Sequence, residues 1–305
     1  LHSGYHYPRA ISTATDCRDS VQYFCKEYPE SIISDTEQYY CISKRDSLVS
    51  GEAFVRFCEE LNLRHTILDL DILRGESVDV CMRVNESIFD LSILQDILLK
   101  RISQKSIKIE FGVSPSESQL GSYDYVIVAT YTDNNQFISA DNQQQYQYEL
   151  CEKPVIKLPS EYDNIGLVVM DGPFMCIDPL GRTGYHVMGN VVHAIHQTSF
   201  GEFVSPLKDN RFAGLINRGI IENPVISNFP KFVESASEFL IGIEKCEHIG
   251  SMFTYRVVLP NMEETDDRPT IVKKVDHRTI TVFSGKITTC VMAANKVVAI
   301  IKETG

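Results

Sequence analysis

The segment FSGKITTC near the end of the chain could hold an anion or a polarised carbonyl. It reads as the end of a strand, a turn at Gly285 and the start of a helix. The first N–H groups of a helix lack partners within it and lie at the positive end of its dipole, so they favour negative charge. Gly285 would let a ligand approach the backbone, and Lys286 adds a positive charge. Many strand–helix turns share this pattern and only pack, so both interpretations stay open.

Two further segments place polar groups where a ligand could bind. YDYVIVATY predicts a strand buried on both sides, and Thr130 and Tyr131 stand at its carboxyl end, where α/β sheets bind ligands. In DDRPTI, Arg268 precedes a proline, and its planar guanidinium matches a carboxylate. An ordinary polar loop and an arginine paired with a neighbouring aspartate would explain the same residues.

Composition excludes several classes of partner. The chain has 305 residues, 43% hydrophobic content and a formal net charge of -12, with no block of lysine and arginine. The electrostatic field of this negative net charge repels phosphate backbones and anionic lipid, so neither nucleic acid nor a membrane is expected as a partner. No apolar run approaches the roughly 18 to 20 residues that a membrane-spanning helix needs.

Cysteine and histidine spacing predicts no metal site. The nine cysteines contain no CxxC pair, and they are interpreted as free, mostly buried thiols of a cytoplasmic protein. His193 and His196 would point to opposite faces of a strand, which argues against joint metal ligation. The sequence also has no HExxH, GxSxG or P-loop motif.

Helices and strands alternate in the first half of the chain, which indicates an α/β arrangement. Apolar spacing predicts a helix that Ser12 caps and Pro29 ends, a second helix entered at Gly51 and a third capped by Asp90. The predicted inner face of the third helix comprises Leu91, Leu94, Leu98 and Ile102. The predicted strands are EQYYCIS, SVDVCMRV, SIKIEF and YDYVIVATY.

Beyond residue 145 the pattern changes to β segments separated by Gly, Pro and Asp, which predicts an antiparallel sheet. These segments are YELCEKPVIKL, NIGLVVM, PFMCID and YHVMGNVVHAI. A long helix is predicted from about Lys231 to Cys246, and the strand MFTYRVVL follows it. The inward residues of this helix are predicted to be Phe232, Ala236, Phe239, Leu240 and Ile243.

Together these pieces resemble the FAD-dependent oxidoreductases of the D-amino-acid-oxidase-like superfamily. The segments that carry the resemblance are HSGYHYPR, YDYVIVATY, VVMDGPFMCIDPLGRTGYHVMGNVVHAIH, the RP pair and TVFSGKITTC. The resemblance implies a glutathione-reductase-like FAD-binding α/β domain interleaved with an antiparallel-sheet substrate domain. The implied FAD-binding domain comprises residues 1–30, 78–145 and 265–305, and the substrate domain comprises residues 31–77 and 146–264.

The resemblance also implies the site residues. In amino-acid-oxidising relatives the arginine of the RP pair grips the substrate carboxylate, and the matching residue is Arg268. Tyr5, His6 and Tyr7 would line the flavin ring and orient substrate, and His6 and Tyr7 complete the implied catalytic set. The implied cofactor-binding residues are His2, Gly4, Tyr5, Thr130, Tyr131, Gly285, Lys286, Ile287 and Thr288. The turn at residues 285–288 would stabilise the negative charge that a flavin gains on reduction.

The sequence departs from the family at two places. It contains no GxGxxG, the motif that binds the ADP half of FAD, so we expect an N-terminal truncation, weak FAD binding by residues 1–305 alone and an exposed sheet edge. The Gly-Leu that often precedes RP is replaced by Asp266 and Asp267. These acids would neutralise Arg268 or favour a cationic amine.

The leading functional hypothesis is an FAD-dependent oxidoreductase that oxidises a C–N or C–O bond of a small molecule by hydride transfer to flavin. An amine, an amino acid or a hydroxy acid would fit. One alternative is a flavin monooxygenase or a sugar-nucleotide mutase on the same scaffold. Another is a non-catalytic or partner-completed fragment.

Overall fold

A large mixed sheet lies at the centre of the computed structural model, which describes residues 1–172, 175–262 and 264–304. The strands in these ranges are β1 Ile32–Ile33, β2 Glu37–Ser43, β3 His65–Ile67, β4 Val78–Val84, β5 Ile88–Phe89, β6 Val126–Val128, β7 Tyr146–Lys157, β8 Ile165–Met170, β9 Met175–Pro179, β10 His186–Asn190, β11 Ile195–Gly201, β12 Glu247–Val258, β13 Ile271–Lys274 and β14 Thr279–Phe283. The α-helices are α1 Ile11–Glu27, α2 Gly51–Glu60, α3 Leu91–Ser103, α4 Glu117–Leu120, α5 Phe229–Ser237 and α6 Cys290–Thr304.

The strand β7 organises the large sheet. The sheet runs in the order β11, β7, β10, β9, β8, β2, β4 and β3, with β12 added on β7. β12 pairs with β7 along almost its whole length, whereas β11 and β10 each pair with one part of β7. The predicted antiparallel arrangement is found in these pairs, while β2 and β8 run parallel. β7 is therefore covered by neighbours on both edges.

A smaller sheet joins β13, β14 and β6, in which β14 and β6 are parallel and α6 follows β14. The predicted mixed α/β architecture is thus confirmed. The prediction that β6 is buried on both sides is wrong, since β6 has three residues and Ile127 is 42% exposed. Among the described strands β6 pairs only with β14, so its other edge leaves backbone hydrogen-bonding groups open.

The helix α3 is capped as predicted but packs differently. The Asp90 carboxylate accepts two backbone N–H groups of the first turn at 2.9 and 3.1 Å. The predicted inner face is wrong, because Leu91 is 65% exposed and Leu98 is 39% exposed, while Leu94 is buried. Among the described elements α3 packs mainly on the short 3-10 helix Pro29–Ser31, which covers little of its apolar side.

Three other predicted elements differ from the structure. SIKIEF is exposed and forms no strand, because no described strand lies beside it to share backbone hydrogen bonds. α1 begins at Ile11, so Ser12 lies inside its first turn and is not its cap. α5 ends at Ser237 because the chain then turns to pair Leu240 with Leu73. The residues predicted to face inward here are all buried: Phe232, Ala236, Phe239, Leu240 and Ile243.

The domain boundaries stay a prediction. β4 pairs with β2 in the large sheet, although the predicted FAD-binding domain includes residues from 78 onward. Pro173 and Phe174, which the sequence pattern placed in a strand, lie outside the described residues, and β9 begins at Met175.

The nine cysteines are free thiols, and six of them are buried. In the part of the chain that the structure describes, no helix combines the length and the apolar character needed to cross a bilayer.

Candidate active site

A cavity of about 680 Å³ lies between the N-terminal loop and residues of the large sheet. The loop contributes residues 6–9, the strands β7, β11 and β12 contribute polar side chains, and the segment before β13 contributes Arg268. The three residues predicted to be catalytic, His6, Tyr7 and Arg268, all line this cavity. The structure therefore brings together residues that stand more than 250 positions apart in the sequence.

Packing against α1 and the loop before β3 fixes the N-terminal loop. Gly4 has a φ of +111°, and a Cβ at this position would lie 2.8 Å from the carbonyl oxygen of Ala14, so the close approach requires glycine. Tyr5 is buried, and its hydroxyl donates to the carbonyl oxygen of Arg64 at 2.7 Å. Gly4 and Tyr5 thus position the loop without lining the cavity, and their cofactor-binding role stays a prediction.

Tyr7 joins the cavity to the turn before α6. The Lys286 ammonium donates to the Tyr7 hydroxyl and lies 3.9 Å from the centroid of the Tyr7 ring. Both side chains are buried, and burial lowers the pKa of Lys286 to about 8. Burial also lowers the pKa of His6 well below its usual value, and the charges of His2 and Lys286 act in the same direction. Near pH 7 His6 is therefore neutral, whereas Lys286 is still mostly protonated.

Arg268 lines the cavity and is also paired with an acid. Its Nη2 lies 2.6 Å from Oδ1 of Asp266, and its Nη1 donates to the carbonyl oxygen of Asp267 at 3.1 Å. Its backbone N–H donates to the Thr13 hydroxyl of α1 at 2.9 Å. The arginine is thus held in place from two sides, and its charge is balanced before any ligand binds.

The turn at residues 284–289 has room for a ligand at its glycine. A Cβ at Gly285 would meet nothing within 4 Å, and Ile287 is 43% exposed. The Lys286 N–H donates to the Ser284 hydroxyl at 3.1 Å, which shapes the turn. Thr288 is buried. Of these residues, Lys286 is the one connected to the cavity, through its contact with Tyr7.

None of the nine predicted cofactor-binding residues is in the cavity lining, and three of them, Tyr131, Thr130 and His2, have other contacts. Tyr131 stacks near Phe283 at the end of β14, and its hydroxyl bonds to the backbone of Val257. The Thr130 hydroxyl donates to the side chain of Asn134. His2 is half-exposed, and its ring lies 4.7 Å from that of His6. Their predicted cofactor role stays a prediction.

Sequence reasoning missed a polar group on the sheet side of the cavity. Gln147, Glu149 and Arg256 line it, and Gln147 and Glu149 are 8% and 4% exposed. Arg256 on β12 lies opposite Glu149 on β7, and its Nε donates to the Glu149 carboxylate at 2.5 Å. Alternation of polar and apolar residues in YQYELC is the signal that could have indicated a polar face here.

A second buried polar network stabilises the sheet away from the cavity. The Glu152 carboxylate lies 2.9 Å from His196 Nε2 and accepts the Ser251 hydroxyl at 2.6 Å and the Asn228 N–H at 2.8 Å; it also accepts the Ser227 hydroxyl. Burial alone would raise the pKa of Glu152, but these hydrogen bonds outweigh it and lower that pKa. His196 is thereby engaged with Glu152, and His193 lies before β11 begins at Ile195.

Sequence comparison finds relatives among FAD-dependent enzymes. The FAD-dependent monooxygenase FPY4 of Fusarium mangiferae is 23% identical over 316 residues, which cover 99% of this chain and 79% of that protein. The FAD-dependent monooxygenase kojA of Aspergillus flavus is 38% identical over 65 residues. That match spans 20% of this chain and 15% of the length of kojA. No family model matches the chain.

Solved structures share the fold along most of the chain. L-proline dehydrogenase from P.horikoshii has a TM-score of 0.63 at 9% identity, covering 92% of this chain and 75% of that one. Glycine oxidase from Geobacillus kaustophilus has a TM-score of 0.61 at 12% identity, covering 93% and 75%. At such low identity the agreement concerns the fold.

Proposed function

We propose that this chain, which has the fold of the FAD-dependent oxidoreductases of the D-amino-acid-oxidase-like superfamily, is a flavoenzyme that oxidises a C–N or C–O bond of a small molecule. The observation that carries the proposal is the meeting of His6, Tyr7 and Arg268 at one cavity, beside a buried lysine at a strand–glycine–helix turn. Relatives named as FAD-dependent monooxygenases support the cofactor.

The residues at the turn before α6 fit a flavin ring. The open space beside Gly285 allows close approach to the backbone, and the buried Lys286 offers a cation at the start of a helix. An FAD bound here would accept a hydride from the substrate, and its ring would gain negative charge. Lys286 and the N–H groups at Ile287 and Thr288 would stabilise that charge.

His6 and Arg268 would act on the substrate side. Removing a hydride from a carbon that bears O–H or N–H also requires loss of a proton, and a neutral imidazole can accept it. His6 is neutral near pH 7 because burial lowers its pKa. Arg268, fixed by Asp266 and Thr13, would orient a polar group of the substrate. Tyr7 would close the site between the substrate and Lys286.

A flavin monooxygenase is the second candidate, because the relative that matches 99% of this chain is named as one. The two reactions differ in the fate of oxygen. An oxidase reduces O₂ to hydrogen peroxide and transfers no oxygen atom from O₂ to the product, whereas a monooxygenase inserts one oxygen atom of O₂ into the product and reduces the other to water. Mass spectrometry of the product after turnover under ¹⁸O₂ distinguishes them.

The test begins with the protein made from its full natural coding sequence. We expect it to purify yellow, with one FAD per chain and a flavin absorption band that substrate bleaches under anaerobic conditions. Lys286→Met should weaken FAD retention, whereas Lys296→Met, at an exposed position of α6, should not. A folded, colourless protein that takes up no added FAD would refute the proposal and favour a non-catalytic role.

A further inference from the structure

The sheet side of the cavity presents an acceptor that lacks a partner. Gln147 and Glu149 lie two residues apart on β7, so their side chains share one face of the strand. The Gln147 amide nitrogen donates to Glu149 Oε1 at 2.8 Å, which orients the amide. Its carbonyl oxygen, on a residue that is 8% exposed, has no hydrogen-bond partner among the described residues. Such a buried acceptor is unfavourable unless a ligand or water donates to it.

A guanidinium donor is bonded to the same carboxylate that orients the Gln147 amide. Arg256 pairs with Glu149 through Nε and Nη2, both 2.5 Å from Oε2. Among the described residues Glu149 is the acceptor that holds this guanidinium, which leaves the N–H groups of Nη1 for another partner. The Arg256 side chain is 41% exposed and lines the cavity. Glu149 therefore fixes both a carbonyl acceptor and a guanidinium donor against one cavity.

Among the described residues that line the cavity, no arginine or lysine is left without an acidic partner to meet an anionic substrate. Each arginine in its lining is paired with an acid, and Asp46 adds a further acid to the lining. The lining pairs are Arg9 with Asp171, Arg256 with Glu149, and Arg268 with Asp266, at N–O distances of 2.9, 2.5 and 2.6 Å. A free carboxylate would therefore enter a site whose charges are already balanced.

We propose that Gln147 and Arg256, held in place by Glu149, bind an uncharged substrate group in which a carbonyl lies next to an N–H or O–H. The proposal rests on the proposed function and narrows its substrate class to neutral hydroxy-amides and hydroxy-ketones. The Gln147 carbonyl accepts the N–H or O–H of the substrate, and Arg256 Nη1 donates to the substrate carbonyl. Glu149 is a positioning residue that also cancels the charge of Arg256.

Mandelamide and mandelate provide a matched test, because they share a skeleton and differ in charge. Isothermal titration calorimetry on the full-length protein, with FAD added, measures binding of each compound at pH 7. We expect mandelamide to bind at least about tenfold more tightly than mandelate. Gln147→Met should weaken mandelamide binding about tenfold, whereas Gln145→Met, at an exposed position just before β7, should leave it unchanged.

The Glu149→Gln variant tests whether Glu149 sets the charge preference of the cavity or only stabilises the fold. Removing the carboxylate leaves the charge of Arg256 unbalanced, so the ratio of the two dissociation constants should shift at least tenfold towards mandelate. Circular dichroism confirms that each variant is folded. Equal or tighter binding of mandelate by the unaltered protein, no binding of mandelamide, or an unchanged ratio in Glu149→Gln would overturn the inference. Because calorimetry does not need flavin reduction, a preference for mandelamide in a redox-inactive protein would refute the proposed function alone.

Discussion

Replacing Lys286 with methionine should increase the stability of the flavin-free protein at neutral pH. Burial lowers the pKa of Lys286 from 10.5 to about 8, because a charged amine loses hydration inside the protein. A pKa difference of this size corresponds to about 3 kcal/mol in favour of the neutral amine in the folded state. At pH 7 the lysine is protonated, so folding must overcome that cost. Methionine is similar in length and has no charge to desolvate.

The pH dependence distinguishes this cost from the lost contact with Tyr7. Between about pH 8 and pH 10.5 the unfolded chain holds the Lys286 proton more tightly than the folded chain does. The contribution of Lys286 to the free energy of unfolding therefore rises with pH across that window. We expect Lys286→Met to raise the free energy of unfolding at pH 7. This gain should be about 3 kcal/mol larger at pH 7 than above pH 10, so it should shrink as pH increases. The contact with Tyr7 adds a contribution to the free energy of unfolding that changes little with pH over most of this window.

Urea unfolding followed by circular dichroism at pH 7, 8, 9 and 10 measures the effect. Lys296→Met, at an exposed position of α6, is the matched control and should differ from the unaltered protein by less than about 0.5 kcal/mol. The reasoning fails if the difference between the unaltered protein and Lys286→Met is the same at pH 7 and pH 10.

Two further substitutions test the packing around the site. Gly4→Ala should lower stability by about 1 to 3 kcal/mol in urea unfolding, because φ is +111° and the added Cβ meets a carbonyl oxygen at 2.8 Å; Gly75→Ala, whose Cβ would meet nothing within 4 Å, is its neutral control. Glu152→Gln should lower stability at pH 7 by about 1.5 to 3 kcal/mol, because it weakens hydrogen bonds to a buried carboxylate. Since hydrogen bonds lower the pKa of Glu152, its contribution is present above its unfolded pKa and is lost as pH falls. Thermal unfolding between pH 3 and 7 should therefore show a weaker acid dependence in this variant.

Either result could go against these expectations. A Gly4→Ala variant as stable as Gly75→Ala would mean that the loop can shift away from α1. A Glu152→Gln variant with the acid dependence of the unaltered protein would mean that another group controls stability at low pH.

Local signals in the sequence predicted the elements whose determinants lie close together. Asp90 caps α3 through backbone groups within three residues, so its role could be read from the residue types alone. β2 matches the predicted EQYYCIS segment. The prediction of a strand at SIKIEF was wrong, because a strand also depends on a distant neighbouring strand that the local pattern does not specify.

The candidate site depended on pairings that local patterns do not contain. His6, Tyr7 and Arg268 were predicted through the family resemblance, and the structure places them at one cavity. Glu149 and Arg256 were missed because they are 107 residues apart. Each alone resembles an ordinary charged residue in a strand, and only the register of β7 with β12 makes them partners.

The position of β7 has a consequence for how the chain folds during synthesis. β7 leaves the ribosome long before β12, its partner along almost the whole strand. Until β12 emerges, one edge of β7 has no native partner, and closing a connection of this length is entropically slow. The nascent protein must therefore persist with an unpaired strand edge, a state that chaperones protect and that promotes aggregation when synthesis stalls.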